Sequence, residues 1–397
     1  MSYHPDADEG LALAHGQAGL AGDQAPALAP GPSPAVLGES VPSGEDVWTA
    51  PMDAPHAPVV LEILHETLYD YELTVSLAHH LAFLQPLSDA HQRLLAHELQ
   101  VDPPPASRRE GRDVFGNPCC YLTLLKPHRR LSVSARGQVW VAPRFTGLEP
   151  EAAPPWETVR DRLRYVAGAP FDPAVEFVQP SPYLPRLADL GDYAAPSFPP
   201  GRPLAAGAID LMRRIHGDFR YEARSTEVDT PVAQAFAQRR GVCQDLAHVM
   251  AGALRQLGLP ARYVSGYLRT CPATGAALVG ADASHAWVQV YTPGTPGVPA
   301  DGWLDLDPTN DLIPGVDHVR VAVGRDYGDV APLRGVIRGG GRHRLTVGVT
   351  TRRVPPVPAS RDCHRVSTSN PTRERRSRLN SMPIRWIGSP SARYLSA

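Results

Sequence analysis

Gly241-Val242-Cys243-Gln244-Asp245-Leu246-Ala247-His248-Val249-Met250 reads as a sharp turn that delivers a cysteine to the first turn of a helix. Downstream, Leu246, Val249, Met250, Ala253, Leu254 and Leu257 recur at helical spacing and form one apolar stripe. Gly258 and Pro260 supply a stop, so the spacing predicts a helix over 242–257. Cys243 lies at the edge of the stripe, where unpaired N–H groups and the positive end of the helix dipole stabilise a thiolate. A cysteine on its own is most often a small buried hydrophobe, so its chemistry depends on partners.

Two further stretches supply them. Ser284-His285-Ala286-Trp287-Val288-Gln289-Val290-Tyr291 alternates as a strand, with His285, Trp287, Gln289 and Tyr291 on one face. After a Pro/Gly loop, Trp303-Leu304-Asp305-Leu306-Asp307 forms a second strand with both aspartates on one face, and Pro308 ends it. A simple hairpin that pairs Tyr291 with Asp301 puts His285 opposite Asp307. Such neighbours lie about 5 Å apart, close enough for a carboxylate to hold one imidazole N–H. Separately, His285 reads as a hydrogen-bonded core histidine and Asp307 as a turn former. Together with Cys243 they make the nucleophile, base and orienter set of a cysteine acyl-transfer site.

The three blocks Arg240 to His248, Ser284 to Tyr291 and Gly302-Trp303-Leu304-Asp305-Leu306-Asp307-Pro308-Thr309-Asn310 resemble, in order and spacing, the signature blocks of the bacterial transglutaminase-like superfamily. That resemblance implies a catalytic triad of Cys243, His285 and Asp307, with Asp305 as the fallback orienter. The papain-type local signature around a catalytic cysteine is absent. Leu64-His65-Glu66-Thr67 with Tyr69 and Tyr71, Phe115-Gly116-Asn117-Pro118, and Lys126-Pro127-His128 look like the N-terminal domain commonly fused to this class. Gly324 to Val330 and Arg334 to Gly341 are similar to its C-terminal run. The fold implied is α+β: a papain-like, transglutaminase-like catalytic core, its nucleophile helix packed on an antiparallel sheet, preceded by a small β-sandwich-like domain.

With 43% hydrophobic and 20% charged residues, the 397-residue chain can bury a sizeable core and suggests two ordinary domains. A net charge of -2 and a pI near 6.7 give no nucleic-acid or membrane signature. The 43 prolines, roughly twice ordinary usage, call for many loops. Five cysteines without paired spacing argue against a disulfide framework. No run of about 18 apolar residues exists to span a bilayer. The organisation expected is a disordered lead-in over 1–56, a β-rich domain over 57–178, a Pro-rich linker over 179–203, the catalytic domain over 204–357 and a basic disordered tail over 358–397. The lead-in lacks a basic n-region, which points to a cytoplasmic location.

Within this frame, short β-like runs occupy 59–141, and helices are expected after Pro155, from Leu204, and over 232–239. His65, His79, His80 and His128 read as surface or hydrogen-bonded histidines, since no carboxylate or cysteine accompanies them at ligand spacing. Cys119-Cys120 reads as one buried and one exposed thiol, and Cys271, in a loop over 269–282, as an off-site thiol. Trp287 and Trp303 are candidates for the walls of an acyl pocket, with core packing the equal alternative. The chemistry expected is acyl transfer through a thioester on a protein or peptide substrate, with the Cys243 backbone N–H at the oxyanion. A water acceptor makes a peptidase or amidase; an amine acceptor makes a protein-glutamine transferase. The resemblance leans toward hydrolysis. No cofactor, metal or calcium loop is called for. A noncatalytic binding module is the rival class.

Overall fold

The computed structural model describes residues 57–168, 170–223, 228–269 and 284–354, with the backbone of 12–14. The expectations for the rest of the lead-in, for Cys271 and nearly all of its loop, and for the basic tail lie outside the described residues.

After β1 (Ala12–Ala14), the chain enters β2 (Val59–Ala82), a 24-residue strand. β3 (Gln92–Asp102), β4 (Ser107–Arg112), β5 (Pro118–Leu124) and β6 (His128–Val141) follow. The first half of β2 pairs with β6, and the second half with β5. The β2–β6 register shifts between Asp70 and Val75. Along β2, alternate residues Leu61, Ile63, Thr67, Tyr69 and Tyr71 are buried, as a strand with one covered face requires. Tyr71, Val75, Leu122, Leu124, Leu131 and Val133 share one core, so the two halves of a single curled antiparallel sheet close on each other in sandwich fashion. Cys119 and Cys120 are both buried, unlike the split expected, because β5 is covered on both sides there.

α1 (Trp156–Arg162), α2 (Ala188–Ala194), α3 (Leu204–Asp218) and α4 (Val232–Gln238) lead to α5 (Cys243–Gln256). The short β7 (Arg220–Tyr221) and β8 (Arg240–Gly241) pair in parallel beside it. β9 (Ala261–Leu268), β10 (His285–Tyr291), β11 (Trp303–Leu306) and β12 (His318–Gly324) form a four-stranded antiparallel sheet in the order β11-β10-β9-β12. The predicted stripe Leu246, Val249, Met250, Ala253 and Leu254 packs against Val288, Val290, Leu304 and Leu306. Burying each such side chain contributes roughly 1.5–3 kcal/mol. Yet α5 is buried on its other faces too, where Ala247, Ala251 and Gly252 let neighbours close in. A methyl group on Gly252 would lie 2.8 Å from Leu190 Cδ1 of α2.

The Pro-rich crossing 179–203 docks through its apolar residues: Leu184, Leu190, Ala194 and Phe198 sit in the same core as α5, having enough apolar surface to be held there. One boundary differs from expectation. After α6 (Tyr327–Val330), β13 (Leu333–Gly339) and β14 (His343–Val354) return to pair with β2, so the end of the presumed catalytic domain completes the curled sheet. Val59, Leu61, Val139 and Val141 of the curled sheet pack on Tyr267, Val319 and Val321 of the small one, and contacts unite the described residues into one compact unit.

β12 is the outer strand of the small sheet, and such an edge exposes unpaired backbone groups. Gln92 fills one position: its Oε1 accepts from Arg320 N–H (2.8 Å) and its Nε2 donates to Arg320 O (2.8 Å). Asn117 does the same at Val323, accepting its N–H and donating to its O at 2.8 and 2.7 Å. Both amides are buried, so each mimics a strand partner.

Candidate active site

Cys243 is the first residue of α5 and half-buried. The turn before it is closed by Asp245, whose Oδ2 accepts the Val242 N–H at 2.8 Å, a carboxylate in the first turn satisfying the cap residue. Gly241 is required beside it, since a Cβ there would lie 2.6 Å from the Asp245 carboxylate.

His285 opens β10, opposite Gly266 of β9, and is fully buried. Its Nε2 donates to Asp307 Oδ2 at 2.9 Å. Nδ1 is thereby left to Cys243, which is near enough for its charge and thiol to act on the ring, although no formed hydrogen bond joins the two. Burial pushes the His285 pKa down, but the Asp307 carboxylate and the Cys243 sulfur outweigh it and raise it to about 10. Burial likewise opposes the charge on Asp307, yet His285 and His318 hold its carboxyl well below the usual range.

The hairpin register is two residues from the expected one: Tyr291 pairs with Trp303, because the turn closes at Thr292 N–H to Gly302 O (2.7 Å). Gly302 takes φ +75°, and a Cβ on it would strike the Tyr291 ring. An even shift keeps every side chain on its face, so Asp307 still reaches His285, now diagonally. Asp307 is fixed by its own turn, its Oδ1 accepting from Thr309 N–H (2.9 Å) and Asn310 N–H (3.3 Å) and its Oδ2 from Asn310 Nδ2 (2.9 Å). Asp305, the fallback orienter, does not meet His285: it pairs with Gln289 in the ladder and lies 3.9 Å from Arg144.

Both tryptophans pack in the core. Trp287 is fully buried and stacks on His285 at 6.1 Å. A methyl group on Gly266 would collide with the Trp287 ring and the Val319 carbonyl, so only glycine lets the indole lie there. Trp303 packs with Phe177 and Tyr291, under the Arg262 guanidinium at 4.1 Å. The reading of the sequence missed His318, whose Nε2 meets Asp307 Oδ2 at 3.2 Å. The available signal was a histidine opening a strand, as His285 does. Asp326 N-caps α6, accepting from Gly328 N–H, and also accepts from Tyr183 N–H at 2.9 Å; the Tyr327 N–H donates to His248. The expected β-region histidines are accounted for in part: His65 bonds Tyr267 and Thr67 at 3.0 Å, and His79 bonds Thr123 at 3.1 Å.

Residues 61–140 match the family described as the bacterial transglutaminase-like N-terminal region, and residues 198–308 match the transglutaminase-like superfamily. An uncharacterized protein of Mycobacterium tuberculosis is 41% identical over 300 residues, covering 74% of this chain and 92% of its own length. The chain belongs to the transglutaminase-like superfamily. Its members are in general cysteine-dependent enzymes. Another relative, a protein-glutamine gamma-glutamyltransferase of Pseudomonas aeruginosa, is 36% identical over 134 residues, 33% of this chain but 19% of that protein. The crystal structure of a candidate cysteine protease from Cytophaga hutchinsonii shares the transglutaminase-like fold, with a TM-score of 0.56 and 22% identity over 75% of this chain and 91% of that one. Among the described residues, no helix is long and apolar enough to cross a membrane.

Proposed function

We propose that this protein catalyses cysteine-dependent acyl transfer from a peptide or carboxamide substrate, with water as the acceptor. The observation that carries the reading is the two-sided use of His285: Nε2 is committed to Asp307, and Nδ1 is left to the thiol at the start of α5. Cys243 gives its proton to His285 Nδ1, and the thiolate sulfur attacks the substrate carbonyl carbon. The carbonyl oxygen takes the negative charge and is held by the Cys243 backbone N–H, one of the unpaired donors of the helix start. His285 returns the proton to the departing amine as the carbon–nitrogen bond breaks, leaving a thioester. A water molecule then loses a proton to His285 Nδ1 and attacks the thioester, releasing the carboxylic acid and the free thiol. Asp307 keeps the imidazole in the tautomer and orientation that both steps need.

The Pseudomonas aeruginosa relative supports a second reading, in which a primary amine replaces water and the product is a γ-glutamyl amide. One experiment separates the readings. Wild type and Cys243→Ala are incubated with a casein-like glutamine donor and a fluorescent primary amine, and label, ammonia and new peptide termini are followed by mass spectrometry. New termini or ammonia without label, lost by about 10⁴-fold or more in the variant, is the expected result. Cys243-dependent label identifies the amine as acceptor. Silence in every channel, with a Cys243 alkylation rate no faster than a free thiol's, leaves a binding module.

A further inference from the structure

Asp307 is held from two directions. Its Oδ1, and one bond to Oδ2, are satisfied by Thr309 and Asn310, which belong to the same short turn and move with it. His318 reaches Oδ2 from β12, a separate strand whose far edge is sealed by Gln92 and Asn117. We propose that His318 is a positioning residue of this site, tying the Asp307 carboxylate to the rigid sheet so that His285 faces Cys243 correctly. The inference rests on the acyl-transfer reading above.

The surroundings of His318 support this role. Its ring stands edge-on to Trp287 at 5.3 Å and 85°, and the same indole stacks on His285, so one rigid aromatic wedge touches both histidines, whose own rings meet edge-on at 6.2 Å. Gly266 admits that wedge. His318 is buried, and its Nδ1 has no hydrogen-bond partner. A buried ring nitrogen without a partner is a cost that an apolar side chain of similar size would avoid. The bond that the ring gains in return is the one to Asp307. With Nε2 as donor, the carboxylate accepts from two imidazoles and stays ionised beside the one that must carry charge during turnover. His318 also borders a small cleft lined by Arg144, Asp305 and Arg320.

The test is Cys243 alkylation by iodoacetamide as a function of pH, which needs no substrate. It compares wild type with His318→Leu, which keeps volume without a donor, and His318→Gln, whose amide N–H reaches toward the place of Nε2. The wild-type thiol is expected to be alkylated faster than a free thiol at neutral pH. His318→Leu should slow that reaction about 10- to 100-fold, the usual effect of losing an orienting partner, and converge on wild type at high pH, where any thiol is ionised. His318→Gln should recover most of the rate. A purely structural role would lower the melting temperature without changing the ratio of the low-pH to high-pH rates. Superimposable profiles for wild type and His318→Leu overturn the inference and leave the acyl-transfer reading standing. An ordinary thiol profile in wild type removes that reading, and the role of His318 falls with it. If His318→Leu shows no cooperative melt, His318→Asn, too short to place its donor, takes its place: slow Asn and fast Gln support the role, and equal rates end it.

Discussion

Along the first half of β2 burial alternates, with every second residue turned outward, whereas nearly every residue of β9, β10, β11 and β12 is buried. The first half of β2 has one covered face; the small sheet has two, with α5 on one side and Leu87, Phe115 and Phe177 on the other. A polar side chain on β2 can turn to solvent without penalty, but one on β10 or β12 has no such exit. His285, Gln289, Asp305, Asp307, His318 and Arg320 are therefore a buried polar layer that must satisfy itself. That layer is where an imidazole can be held by a carboxylate with little competition from water, and it is where the candidate chemistry lies.

Three measurements would break or sharpen this contrast. The largest expected effect is on the helix side of the small sheet: Leu254→Ala should lose about 2–5 kcal/mol in chemical denaturation, the range for a cavity in a packed core. Glu66→Gln, on the outward face of β2, should stay within about 0.5 kcal/mol. Equal losses would mean that the two sheets are not covered differently. Next comes the sealed edge. Asn117→Ala leaves the Val323 N–H and C=O buried without partners and should cost about 1–3 kcal/mol. Hydrogen exchange at Val323 should quicken; an unchanged rate would show that the amide is dispensable.

The last expected effect is a slope. The His285 pKa is raised from 6.5 to about 10 in the folded protein, so the stability it contributes is fully present below about pH 6.5 and is lost as pH rises through 10. Wild-type melting temperature should therefore fall more steeply between these limits than that of His285→Gln. Parallel curves would mean that the imidazole gains no net stabilisation from Asp307 and Cys243.

How much was legible in the sequence follows the same contrast. The stripe of α5 and the alternation in β10 and β11 were readable because burial there leaves a period, and the face shared by His285 and Asp307 survived an error of two in register. The other faces of α5 were not readable, since Ala247, Ala251 and Gly252 carry no apolar signal although they are as buried as the leucines. The return of β13 and β14 to β2 joins residues more than 250 positions apart, such as Ala82 and Leu333, and no local pattern announces it. His318 was missed for a related reason: its partner was assigned to His285 alone, and only the fold brings a second strand to the same oxygen. Asn117 sat in a recognisable motif whose purpose, sealing β12, exists only in three dimensions.

The pairing of Val60 with Val354 brings the start of β2 and the end of β14 side by side. Tension applied through the two flanking chains would act across that antiparallel ladder from one end, opening it rung by rung like a zipper instead of shearing all its bonds at once. The molecule should be mechanically soft along this one direction while its interior, where the cysteine and histidines lie, is loaded last.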